Sequence, residues 1–231
     1  MKSFSRCAFA AVAVLASATI ALAQAPSGVV NKAEVQTLVA AGTPEANAAL
    51  ASHFAALADK YTADAGRHKD MAKAYAGNAN RSVATNIAPH CARLADIAAE
   101  SATAAREMAT YHQHHQQLAG GAAATAPKNA AKFHAGEGAP DPTAMDLHHM
   151  AMMARTAADH RALEEYFTTI ARQSTADADA HVAMAKAYRA GVRKGGSDPA
   201  LHCDRLAKLS RDAAKEAGEA ASLHRQLANI E

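Results

Sequence analysis

Between residues 50 and 75 the buried-type positions recur in alternating steps of four and three: Leu50, Phe54, Leu57, Tyr61, Asp64, His68, Met71 and Tyr75. That spacing lays a single stripe along a helix and has the heptad period of a coiled-coil seam. Thr43-Pro44-Glu45 supplies a start, with Thr43 as N-cap and Pro44 at the first helical position, where its missing N–H is no loss. The pattern predicts a helix to about Ala76, a rod of roughly 50 Å at 1.5 Å per residue. A loop from Gly77 to Thr85 is expected next, then a second helix from about Asn86 to Ala119. Its seam reads Cys91, Leu94, Ala98, Ser101, Ala105, Met108, His112 and His115, rich in small residues, so the two helices can approach closely.

The same text then returns. His68-Lys-Asp-Met71-Ala-Lys73-Ala-Tyr75 recurs as His181-Val-Ala-Met184-Ala-Lys186-Ala-Tyr188, and His90-Cys91-Ala-Arg93-Leu94-Ala as His202-Cys203-Asp-Arg205-Leu206-Ala. Leu50, Phe54, Leu57, Thr62, Ala63 and Asp64 match Leu163, Phe167, Ile170, Thr175, Ala176 and Asp177 without a gap, and Cys91 to His112 spans 21 residues, as does Cys203 to His224. Repetition on this scale predicts a duplicated helical hairpin. One hairpin alone would leave part of its stripe wet, so the expected fold is all-α, with both copies burying their stripes in an antiparallel four-helix bundle; a dimer of hairpins is the competing arrangement.

Around this plan the chain divides into five parts: 1–23 a signal segment, 24–42 a short helix and lead-in, 43–119 the first hairpin, 120–142 a linker, and 143–231 a lead-in helix and the second hairpin. Asn31 with Glu34, and Thr143 with Asp146, have capping-box spacing at the two lead-in helices. The stretch from Gly120 to Pro142 is dense in Ala, Gly and Pro without periodicity and reads as a flexible linker. Lys2 and Arg6, the apolar run Cys7 to Ile20, and Ala21-Leu22-Ala23 form a secretory signal, so export to the periplasm or beyond is expected. Cys7 lies inside that segment, no cysteine stands directly after the cut as a lipid anchor would need, and no later run is long and apolar enough for a membrane span of about 20 residues.

Composition changes the picture in two ways. Without Lys2 and Arg6 the basic and acidic side chains balance at 22 each, and aromatics are only 4% of residues, so neither a phosphate backbone nor stacked bases would find a platform. Two cysteines remain after the signal, Cys91 and Cys203. In an oxidising compartment they could form a disulfide between the copies, join His90 and His202 in a Cys2His2 site, or serve as buried thiols.

The candidate chemistry is in polar residues on seams where leucine is expected. Asp64 and His68, and their counterparts Asp177 and His181, would share the middle of the bundle and could hold a metal ion, or each Asp could accept a hydrogen bond from its own His. A second group, His53, His112, His115, His160 and His224, is expected at the end where the hairpin termini meet, with Met145-Asp-Leu-His148-His149-Met150-Ala-Met152-Met153 close by. Imidazoles mixed with thioethers suit copper in either oxidation state, although methionines at helical spacing also serve as core filler. The first copy has Val35 and Gln36 in place of His148 and His149, and Asn47 in place of His160. No Cys-x-x-Cys-His, His-Glu-x-x-His, Glu-x-x-His, phosphate loop or nucleophile elbow is present.

The string His-x-x-Met-Ala-x-x-Tyr, His-Cys-x-x-Leu, His-x-Gln-Leu-Ala, present over 47–119 and 160–228, resembles exported bacterial helical proteins of uncharacterised activity; the resemblance implies no chemistry. The expectation from the residues is a non-enzymatic periplasmic bundle that binds copper or zinc as buffer, carrier or sensor. The alternative is an envelope protein acting structurally or through a protein partner, its core histidines hydrogen-bonded and metal-free. A third reading is pH sensing by the same imidazoles.

Overall fold

The computed structural model describes residues 30–120, 144–191 and 199–230. The expected signal segment, the linker apart from Gly120, and the Thr143 cap lie outside the described residues. Those described form six helices and no strand: α1 (Lys32–Ala41), α2 (Pro44–Ala76), α3 (Arg81–Gly120), α4 (Ala144–Met153), α5 (Ala157–Ala190) and α6 (Pro199–Ala228). None is long and apolar enough to cross a membrane.

The starts of these helices follow from local chemistry. Thr43 accepts a hydrogen bond from the Ala46 amide at 3.2 Å, with Pro44 next to it in the first turn. Asn31 accepts from the Glu34 amide at 3.0 Å, and α1 stops at Gly42, whose φ of 59° is the left-handed conformation a residue without Cβ adopts most readily. At α5, Thr156 and Asp159 form a reciprocal capping box, a start signal in addition to the two expected at the lead-in helices.

One boundary differs from expectation. The loop predicted to last until Thr85 ends at Asn80, and α3 runs through Pro89, more than two turns inside the helix. Proline normally disfavours helix before it and removes one backbone donor. Here Val83 and Ile87 are both fully buried, and their apolar surface holds the extra turns in place.

The long helices pack as α2 on α3, α5 on α6, and α3 on α6. Both helices bury small residues, among them Ala98, Ala102 and Ala105 on α3 and Ala217 and Ala220 on α6. In contrast, the described α2 and α5 backbones nowhere come within 8 Å, Cα to Cα; α1 and α4 each pack against both of these helices. Val35 of α1 and Leu147 of α4 are the fully buried anchors of the short helices. Leu147, rather than His148, therefore takes the place in α4 that Val35 has in α1.

The core is split in two. One half joins Leu50, Phe54, Leu57 and Met108 to Met184, Cys203 and Leu206; the other joins Met71, Tyr75, Ile87, Cys91 and Leu94 to Leu163, Phe167 and Ala220. The open end of α2–α3 thus meets the loop end of α5–α6, and the converse holds at the other end. The hairpins lie head to tail.

Candidate metal centre and the buried histidines

Head-to-tail packing separates residues that the sequence places together. His112, with His53 and His115, lies in one half of the molecule; His160 and His224 lie in the other. The single open-end group of histidines does not form, because the two open ends are at opposite ends of the bundle. Instead each end carries a layer in which an imidazole meets a tyrosine from the other hairpin.

In the first layer, Nε2 of His112 on α3 is 2.7 Å from the Tyr188 hydroxyl on α5, and its Nδ1 is 2.9 Å from Asn47 Oδ1 on α2. Asn47 Nδ2 donates to the Thr43 carbonyl at 3.0 Å, which orients the amide so that Oδ1 faces His112. His112 Nδ1–H then donates to Asn47, leaving Nε2 to accept from Tyr188. Phe54 stacks on the imidazole, with centroids 5.7 Å apart and planes 3° from parallel.

The second layer repeats this with the hairpins exchanged. His224 Nε2 on α6 is 2.8 Å from the Tyr75 hydroxyl on α2, and Phe167 stacks on the ring at 5.7 Å. Where the first layer has Asn47, this one has His160, whose Nδ1 is 3.1 Å from His224 Nδ1. Burial keeps these rings neutral: it lowers His112 and His224 to about 3, assisted by neighbouring imidazoles. Burial also pushes Tyr75 and Tyr188 well above the usual phenol range, so their hydroxyls stay protonated and able to donate.

At mid-molecule the expected Asp/His site does not assemble. Lys60 Nζ lies 3.4 Å from Asp64 and 3.7 Å from Asp177, so an ammonium stands between the two carboxylates, and Arg67 approaches Asp64 at 3.5 Å. Neither histidine bonds to its own aspartate. His181 Nε2 meets the Tyr61 hydroxyl at 3.2 Å, while Nδ1 of His181 and Nδ1 of His68 are buried without a partner. Because His181 is level with Tyr61, His68 sits seven residues farther along α2, about 10 Å away along the axis. One ion could not reach both rings. Burial lowers His68 to about 4, against an opposing pull from Asp64, and His181 to about 3.

Other expected ligands disperse. His149 is exposed and His148 only half-buried, while Met152 and Met153 are 38% and 43% exposed, so α4 turns Leu147 rather than its imidazoles into the core. His53 Nδ1 accepts from the Val30 amide at 3.1 Å, which places its proton on Nε2, a buried donor with no acceptor; burial lowers this ring to about 4. His115 packs on Tyr111. Cys91 and Cys203 are buried thiols in different halves of the core, with no disulfide between them. Cys91 follows His90, which meets Glu216, and 13 residues of α6 separate Glu216 from Cys203, so about 20 Å parts the two sulfurs. Neither a bridge nor a Cys2His2 site is possible at that distance. Burial raises Cys91 to about 12, making it an inert thiol.

Among the described residues, one group of His, Cys, Asp and Glu side chains brings three ligand atoms within 4.8 Å of one another: His90 on α3 with Glu216 and Glu219 on α6. His90 Nδ1 is 2.8 Å from Glu216 Oε2 and 3.6 Å from Glu219 Oε2. Glu216 and Glu219 are three residues apart and so share a helix face. The repeated His-Cys pair singles out His90 in the sequence, but nothing local singles out the carboxylates: they are 126 and 129 positions away and meet it only through the α3–α6 contact.

Comparison of the chain with protein-family models, with curated proteins and with solved structures returned no match.

Proposed function

We propose that this protein is a non-enzymatic metal-binding protein of the bacterial envelope, a duplicated hairpin folded as an antiparallel four-helix bundle that buffers, carries or senses copper or zinc. The observation that carries the reading is the convergence of His90, Glu216 and Glu219, one imidazole and two carboxylates on facing helices with their ligand atoms within 4.8 Å. Such a set can occupy three positions of a metal ion and leave another for water or an exchanging ligand. Export rests on the basic start, apolar run and Ala21-Leu22-Ala23 of the signal segment.

The test is elemental analysis of untagged protein followed by titration with zinc and copper. One ion per chain bound at micromolar concentration is expected, and the His90→Ala variant should lose it. Absence of binding would refute the reading in favour of its rival, a structural or protein-binding bundle. That rival is supported by the paired contacts His112–Tyr188 and His224–Tyr75, which give these two inward imidazoles hydrogen-bond partners without any ion.

A further inference from the structure

Resting on the metal-binding reading of this same site, we infer that His90, Glu216 and Glu219 select a borderline divalent ion of the zinc class over reduced copper, and that the ion pins the first hairpin to the second.

Selectivity follows from the donors. One nitrogen and two carboxylate oxygens suit zinc, and divalent copper by the general affinity order, whereas monovalent copper favours thiolate and thioether sulfur. The sulfur-bearing candidates are placed elsewhere: Cys91 is in the core and Met152 and Met153 are on α4, which contacts α2 and α5. Two ligands on a tetrahedral zinc, each about 2.0–2.1 Å from the metal, stand about 3.3 Å apart. The observed separations of 2.8 and 3.6 Å from His90 Nδ1 bracket that value, so small rotations of two glutamate side chains complete the set.

The protein holds its own control. At the position matched in sequence, His202 Nδ1 on α6 is 3.2 Å from Glu107 Oε2 on α3. A histidine–glutamate contact across α3 and α6 therefore occurs twice. At the second place, however, Ala104 stands where the repeat has Glu216, and the Arg205 guanidinium lies 3.6 Å from Glu107. A cation is already present there and the second carboxylate is lacking, so that place is an ion pair. Of the two, the His90 place alone offers the charge that a divalent ion needs.

Pinning follows from where the ligands are carried. His90 belongs to the first hairpin and both glutamates to the second, so any opening that separates α3 from α6 destroys the site. Zinc at about 100 times its Kd should then slow hydrogen exchange of amides on α3 and α6 that open by this separation by about 100-fold.

The experiment uses the full chain with zinc, monovalent copper under reducing conditions, the Glu216→Gln/Glu219→Gln double variant, and His202→Ala. Calorimetry should find zinc binding that the double variant loses and His202→Ala keeps, with little affinity for monovalent copper. Exchange measured with and without zinc should slow on both helices in the parent protein and in His202→Ala, but not in the double variant. Zinc held equally well by the double variant, or a preference for monovalent copper, would overturn the inference and leave metal binding itself standing. So would zinc bound at this site with α3 and α6 exchange unchanged. No metal bound at all would remove both readings.

Discussion

A buried imidazole can be satisfied while neutral but not while charged, and this governs how the molecule should respond to acid. His53, His68, His112, His181 and His224 all have folded-state values between about 3 and 4, against 6.5 in an unfolded chain. Below pH 6.5 the unfolded state binds more protons, so stability is fully present above that pH and is lost as pH falls towards the folded-state values. Each buried ring removes about 1.4 kcal/mol per pH unit, and the five together remove on the order of 10 kcal/mol by pH 5. That is comparable to the whole stability of an ordinary domain, about 5–15 kcal/mol. Acid unfolding followed by circular dichroism should therefore have its midpoint near pH 5, and a native signal persisting at pH 4 would contradict this account. That His68, His112, His181 and His224 turn inward was legible from their place on the seams, whereas His53 lies off the stripe. Their tyrosine partners were not, because Tyr75 and Tyr188 are 149 and 76 positions from the rings they meet.

At the level of helices, the sequence conveyed starts better than it conveyed the α2–α3 turn. Thr43-Pro44 and Asn31 act through neighbours within a few residues, so their capping could be read directly. The start of α3 depended on what Val83 and Ile87 would bury against, and the earlier start leaves Pro89 two turns inside the helix. The resulting proline is exposed inside a helix, at the position where the second hairpin carries Leu201. Replacing it with that leucine restores a backbone donor and removes the clash with the preceding turn. Pro89→Leu should raise unfolding stability by about 1–3 kcal/mol in a denaturant titration, given that an interior proline costs about 3 kcal/mol relative to Ala. Unchanged or lower stability would mean that the helix already accommodates the ring, as at a relaxed kink.

For the molecule as a whole, the decisive feature is that the hairpins pack head to tail. This places Cys91 and Cys203 about 20 Å apart, from the helical rise over the 13 residues between Cys203 and Glu216, the partner of His90. Protein unfolded without reductant should thus yield both Cys91 and Cys203 as titratable thiols. An intramolecular disulfide would be incompatible with the arrangement of the core.

Helix formation, the duplicated pattern and the inward direction of the histidines are properties of period and neighbouring residues, and the amino-acid order alone determined them. Which histidines share a layer depended on the relative direction of two segments, a choice that the two similar seams leave open. Packing settled it through shape: alanines let α3 and α6 close together, while tyrosines, a lysine and the two short helices fill the wider side between α2 and α5. The same closure brought Glu216 and Glu219 to His90, a meeting of three side chains that no local pattern in the chain encodes.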